Sequence, residues 1–230
     1  MWTRAELKDK AKIAFKKNYW TSVLAAAIIG FFAGGGGGSA SGRGSANHNV
    51  DMNQYDPATV WQIIIGVLLV IAFVTVVMIV IKVVVGNALI VGAQKAFILN
   101  EKSEDHVDVK EIAFVFKSGQ WGNVAMTLFV KDIFVFLWSL LLIIPGIIKA
   151  YEYRMIPYLL AEDPSMSRDE AFARSKEMMD GQKMNAFVLD LSFIPWTLLA
   201  VITCGIAGIF YVWPYIHQTN AELYLKLKNN

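Results

Sequence analysis

Long apolar runs alternate with short polar segments along this chain. Residues 60–81 are almost wholly Val, Ile, Leu and Phe, and the apolar character continues beyond Lys82 through 83–99. A helix needs about 20 mostly apolar residues to cross a hydrocarbon core of about 30 Å. Residues 21–33 form a shorter first span behind Tyr19 and Trp20, aromatics of the kind that sit at a membrane interface. Further runs cover 123–144, 147–161 and 186–202, and another starts at 206–217. The pattern predicts an all-α fold, a polytopic transmembrane helix bundle of about six spans with amphipathic interfacial helices. These runs use up the length, so 1–230 reads as a single integral membrane domain.

Three polar segments punctuate the runs. Residues 1–18 form a basic amphipathic leader. Thr3-Arg4-Ala5-Glu6 fits a capping box, and Leu7, Ala11, Ala14 and Phe15 share one helical face. Lys8, Lys10, Lys12, Lys16 and Lys17 cover the rest, as in a helix lying on an anionic membrane surface. The same residues also serve as the ordinary basic flank of a first span. The short first span is expected to be an uncleaved anchor rather than a signal peptide. Residues 34–59 are rich in Gly, Ser and Asn and predict a flexible extracytoplasmic loop. The five glycines lack the spacing and lysine of a phosphate loop. Residues 164–184 predict a cytoplasmic amphipathic elbow: Ser167-Arg168-Asp169-Glu170 is a second capping box, Gly181 a stop, and Ala171, Phe172, Ser175, Met178 and Met179 one face.

Composition agrees: the chain is 56% hydrophobic and only 17% charged, against about 25% charged in soluble domains. The net charge of +2 says little, but its distribution fixes orientation. With six passes, the leader, the segment from Lys82 to Lys117, the elbow and the tail hold nearly every Lys and Arg, while the outer loops hold Arg43 alone. By the positive-inside rule this predicts a bacterial cytoplasmic (inner) membrane protein with both termini cytoplasmic. A single crossing over 123–161 would put the basic elbow outside. Pro145-Gly146 is therefore expected to be the outer turn of a hairpin.

Several groups of residues recur in a recognisable order: Leu137-Trp138-Ser139-Leu140-Leu141, Ile144-Pro145-Gly146-Ile147-Ile148-Lys149, Tyr158-Leu159-Leu160-Ala161-Glu162-Asp163-Pro164, Met178-Met179-Asp180-Gly181, Leu189-Asp190-Leu191-Ser192-Phe193-Ile194 and Pro214-Tyr215. With the leader's Leu7-Lys8 and Asn18-Tyr19-Trp20, they resemble the domain of unknown function 975 family of small bacterial multi-pass membrane proteins. The resemblance covers residues 1–33 and 110–225. Pro195 departs from it, standing where a Gly usually precedes the Trp. The Pro-Gly turn and the elbow are also similar to the membrane domain attached to some glycerophosphodiester phosphodiesterases. The resemblance implies an integral membrane protein and carries over no catalytic residue.

The candidate chemistry is a set of charges inside the apolar runs: Lys131, Asp132, Glu152, Arg154 and Asp190, with Lys149 beside them. Such groups cost roughly 2.5–3.5 kcal/mol each at mid-bilayer, so they are held in pairs or line a functional path. Arg154 cannot shed its charge and needs a carboxylate; Asp132 has the matching depth, with Asp190 the second choice. The single Cys204 and the scattered His48, His106 and His217 make no ligand set, so no cofactor or metal is expected. Ser139 and Ser192 lie in apolar runs with no neighbouring His. The expected protein is a non-enzymatic accessory, scaffold or transport-related component. The alternatives are a small carrier or channel, or a membrane-embedded lipid or peptide hydrolase. Its expected partners are membrane lipids and a membrane protein, not nucleic acid.

Overall fold

The computed structural model describes residues 3–32, 57–102 and 107–229, and these are helical throughout, with no strand among them. Most of the predicted loop at 34–59 lies outside the described residues. Among the described residues, three helices are long and apolar enough to cross a membrane: Ile64–Lys102, Trp121–Leu141 and Lys183–Ile202.

The leader is α1 (Arg4–Lys17), opened as its sequence predicts: the Thr3 hydroxyl accepts the Glu6 N–H at 3.3 Å. α2 (Tyr19–Phe32) follows directly. α3 (Pro57–Ile81) begins earlier than the apolar run, because proline at the first helical position has no N–H to waste. A π-helical turn at Lys82–Gly86 joins it to α4 (Asn87–Lys102). A short 3-10 turn and α5 (Phe114–Lys117) lead to α6 (Trp121–Leu141). α7 (Ile143–Glu152) returns along α6, and α8 (Ile156–Glu162) continues it after a break at 153–155. The elbow is α9 (Arg168–Met178), capped by the Ser167 hydroxyl on the Glu170 N–H. α10 (Lys183–Leu191) and α11 (Ile194–Ile202) go out, and a π-helical turn at Gly208–Val212 leads back into α12 (Trp213–Lys228).

The molecule divides into a packed half and an apolar half. α4, α8 and α12 each lie beyond an interruption in their own arm, and they form the centre of the packed half. Phe97, Leu160, Tyr215 and Leu223 are fully buried there, and Tyr158 stacks on Tyr224 at 5.5 Å. The leader's apolar face does not lie on a membrane surface. Leu7, Ala11, Ala14 and Phe15 are buried, and α1 packs on α12, while Asp9, Lys10 and Lys16 stay outside. The apolar half holds α3 and the ends of α6, α7 and α11. Its side chains face outward: Leu140 is 73% exposed, Ile143 75% and Ile202 72%. Soluble monomers rarely expose a contiguous apolar surface of this extent.

A buried amide sets the register of the packed half. Asn100 of α4 donates from Nδ2 to the Ala14 carbonyl at 2.8 Å and to Gln218 Oε1 at 2.9 Å, and its Oδ1 accepts from Asn18 Nδ2 at 2.5 Å. Gln218 of α12 donates onward to the Phe97 carbonyl and to Glu101. Asn18 Oδ1 takes the Val107 N–H. α1, α4, α12 and the junction of α1 with α2 thus meet at Asn100.

The break at 153–155 is closed from the elbow. Ser175, fully buried on α9, accepts the Met155 N–H at 3.2 Å and donates to the Glu152 carbonyl at 2.8 Å. The predicted elbow face holds, since Ala171, Ser175 and Met179 are buried, and Phe172 meets Phe134 and Tyr153 edge-on. The fourth apolar run is thus two helices with a joint rather than one span.

The hairpin turn falls at Leu142, not at Pro145-Gly146. Leu142 is extended (φ −156, ψ 138), and Pro145 and Gly146 lie in the first turn of α7. Proline is tolerated there because the first helical N–H groups have no partner to lose. Gly146 has a separate reason. A Cβ on it would stand 2.6 Å from Ser139 Cα and 2.3 Å from its Oγ, so only glycine lets α7 lie this close to α6. Gly146→Ala is expected to force the arms apart and cost about 1–3 kcal/mol, the usual range for overpacking. Gly66→Ala, where nothing lies within 4 Å, serves as the control. Thermal unfolding of the two variants in detergent checks this: the first should melt lower, the second unchanged.

Candidate functional site

The charges picked out by sequence collect where the packed half gives way to the apolar half. They form three separate groups rather than one cluster. In the first, Asp132 of α6 accepts from Lys82 at 2.9 Å and pairs with Lys131 at 3.2 Å. The π-helical turn that ends α3 brings Lys82 to this point. In the second, Glu152, buried at the end of α7, is held by Lys149 at 3.0 Å and by Lys183 of α10 at 3.4 Å.

The third group centres on Arg154, whose partner is Asp190 and not Asp132. Nη1 and Nη2 of Arg154 donate to the two carboxylate oxygens of Asp190 at 2.7 and 2.8 Å, a two-pronged bond. Nη2 also donates to Asn220 Oδ1 at 2.7 Å, and the Tyr151 hydroxyl donates to Asp190 at 2.7 Å. Depth along α6 matched Asp132 to Arg154. However, the break at 153–155 turns the Arg154 head toward α10 and α12, and Lys82 has taken Asp132. Arg154 still lines a cavity of about 420 Å³ shared with Lys131, Asp132, Val135 and Phe136. It also lines a second, of about 400 Å³, with Ile147, Tyr151 and Asp190.

Sequence reading missed Lys82, Lys183, Tyr151 and Asn220 as partners. Lys82 and Lys183 look like span flanks, and Asn220 sits in a run polar enough to pass for a tail. The signal for Asn100 and Gln218 was present, since amides in mostly apolar helices need partners. Among the described residues, no three His, Cys, Asp or Glu side chains come together as metal ligands. The Ser139 hydroxyl donates to Val135 O and that of Ser192 to Leu189 O, each within its own helix.

On the polar side, Glu162 at the end of α8 takes hydrogen bonds from Lys102, Lys228 and Tyr224, tying together α4, α8 and α12. Burial works against its ionisation. The three donors outweigh burial and hold its pKa down to about 2.

The matched family is described as Protein of unknown function (DUF975), and its model covers residues 139–230. That stretch of the chain is similar to the family. It contains α7 to α12, and with them Gly146, the Arg154–Asp190–Asn220 group and Glu162. Lys82, Lys131 and Asp132 precede it. No curated protein and no solved structure matches the chain.

Two outcomes test this arrangement. Arg154 is 16% exposed and Asp190 35%, so breaking the pair is expected to cost about 2 kcal/mol, less than the 3–5 kcal/mol of a fully buried pair. Arg154→Met and Asp190→Leu should be non-additive in detergent unfolding, the double variant being more stable than the single losses sum to. Arg154→Met with Asp132→Leu should be additive. The second outcome concerns acid. Glu162 has a folded pKa below its ordinary value of 4.5, so its stabilisation is complete above that pH and is lost as pH falls toward 2. The thermal midpoint of the parent should therefore drop between pH 5 and 3 more steeply than that of Glu162→Gln, which starts lower.

Proposed function

We propose that this chain is a non-enzymatic integral protein of the bacterial cytoplasmic membrane, acting as a scaffold or accessory component. Six helical segments enter the bilayer in three pairs, and both termini, the elbow and the segment after α4 face the cytoplasm. The observation that carries the reading is how the charges are used. Lys82, Lys131, Asp132, Lys149, Glu152, Arg154, Lys183 and Asp190 each pair with an opposite charge from this set, as in a framework that fixes helix register. The candidate serine hydroxyls bond their own helices, and His217 lies against Phe97 at 5.7 Å. These groups act as structural ties. The basic segments on one side support the orientation.

One observation favours a carrier instead: the two cavities on either side of α7 share Arg154. Vesicles reconstituted with the full chain separate the readings. A scaffold leaves chloride, phosphate and proton leak at the level of protein-free vesicles. Flux that disappears in Arg154→Met would overturn the scaffold. Orientation is checked in a Cys204→Ser background: Ser45→Cys should react with an impermeant maleimide added outside cells, and Glu177→Cys should not. Outside labelling of Glu177→Cys would overturn the shared cytoplasmic face.

A further inference from the structure

The α6–α7 hairpin leaves the packed half and rejoins it at one level, marked by charge. Asp132 stands on the outgoing arm and Glu152 and Arg154 on the return, and the last two are bonded to Lys183 and Asp190 of α10. Between these markers, residues 133–148 carry no charged side chain. From Asp132 to the turn at Leu142 the helix rises only about 15 Å at about 1.5 Å per residue. That is half of a hydrocarbon core of about 30 Å. The second hairpin repeats the design. Residues 191–216 carry no charge, and the turn lies about 20 Å along the helix from Asp190. Near its base Trp196 and Tyr211, aromatics of the interfacial kind, meet at 5.5 Å. α3 differs: its 25 residues reach about 38 Å.

The two tips are built for hydrocarbon. Leu140, Leu141, Leu142, Ile143 and Ile144 are all exposed, as are Val201, Ile202 and Ile206. Consecutive residues of a helix and its turn point in every direction, so a flat protein partner would cover only some of them and a fluid covers all. The connection between α2 and α3, by contrast, contains Arg43, Asp51 and Asp56. Unpaired backbone groups are costly in hydrocarbon, and both tips pair several of theirs within the chain. At the first tip, Leu142 is the one non-helical residue. Its N–H donates to the Trp138 carbonyl, its carbonyl accepts the Gly146 N–H, and Pro145 has no N–H to strand. At the second, the Thr203 hydroxyl donates to Leu199 O at 3.0 Å and accepts the Ala207 N–H at 3.1 Å. The N–H groups of Cys204, Gly205 and Ile206 go to the carbonyls of Val201, Ala200 and Thr203.

We infer that both of these hairpins turn back inside the bilayer, their tips surrounded by acyl chains of the inner leaflet. The inference rests on the membrane reading above. The protein then acts as a two-pronged wedge that displaces lipid from one leaflet.

The chain's single cysteine, Cys204, sits exposed at the second tip and needs no substitution to carry a probe. The full protein is labelled there with a nitroxide in detergent and reconstituted into phosphatidylethanolamine–phosphatidylglycerol vesicles. Collision rates are then measured with oxygen, which concentrates in hydrocarbon, and with a water-soluble nickel chelate. The same is done for Leu142→Cys and Ser45→Cys in a Cys204→Ser background. The expected result is high oxygen and several-fold lower chelate collision at both tips than at Ser45→Cys. Chelate access at either tip equal to that at Ser45→Cys overturns the inference, since that hairpin then surfaces in water. Should Leu142→Cys fail to fold, the Cys204 reading alone decides the matter for its hairpin. Extraction of the unmodified protein by alkaline carbonate would instead overturn the membrane reading itself.

Discussion

One amide side chain holds the packed half in register. Apolar contacts among α1, α2, α4 and α12 are non-directional and would tolerate a slide along any helix axis. Asn100 does not tolerate it, because its donors and acceptor are spent on α1, on α12 and on Asn18 at the junction of α1 and α2. Shifting any of these leaves at least one buried polar group unpaired, at a cost of about 1–3 kcal/mol. The arms emerging from this half therefore start from fixed positions. The packed half acts as a base from which loosely packed apolar arms project.

The sequence made the helical class, the apolar arms, both capping boxes and the elbow face legible, since each depends on neighbours within a few residues. Thr3 and Ser167 cap as their spacing requires, and Ala171, Ser175 and Met179 turn inward together. What it did not make legible depends on interruptions. A run such as 147–161 looks continuous by hydropathy. Its joint at 153–155 is stable because a hydroxyl from Ser175, distant in sequence, satisfies the freed backbone. The same joint re-aimed Arg154, so depth counting named the wrong carboxylate. Pro145-Gly146 was read as a turn on residue type. Its glycine is required by the closeness of two helices and its proline by a helix start, and neither makes it the corner.

The leader shows a different limit. A basic amphipathic helix reads equally well as a membrane-surface element and as a cap on a protein core. The pattern of apolar and cationic positions is the same in both. What decides is a matching apolar stripe elsewhere in the chain, and α12, polar by average composition, does not advertise one. Its buried face mixes Tyr215, Leu223 and Tyr224 with Gln218, Thr219 and Glu222; Gln218 and Glu222 find partners across the interface, and Thr219 bonds the Tyr215 carbonyl of its own helix.

The pairing of α1 with α12 joins the first described helix to the last. Contacts this far apart in sequence form slowly and late. During synthesis, α1 leaves the ribosome early and waits with Leu7, Ala11 and Phe15 uncovered until the residues of α12 have emerged. The packed half therefore closes only once α12 has been made. A chain interrupted before α12 would still display an open apolar strip, the kind of surface that chaperones and proteases recognise. The arrival of α12 is thereby made visible on the outside of the packed half.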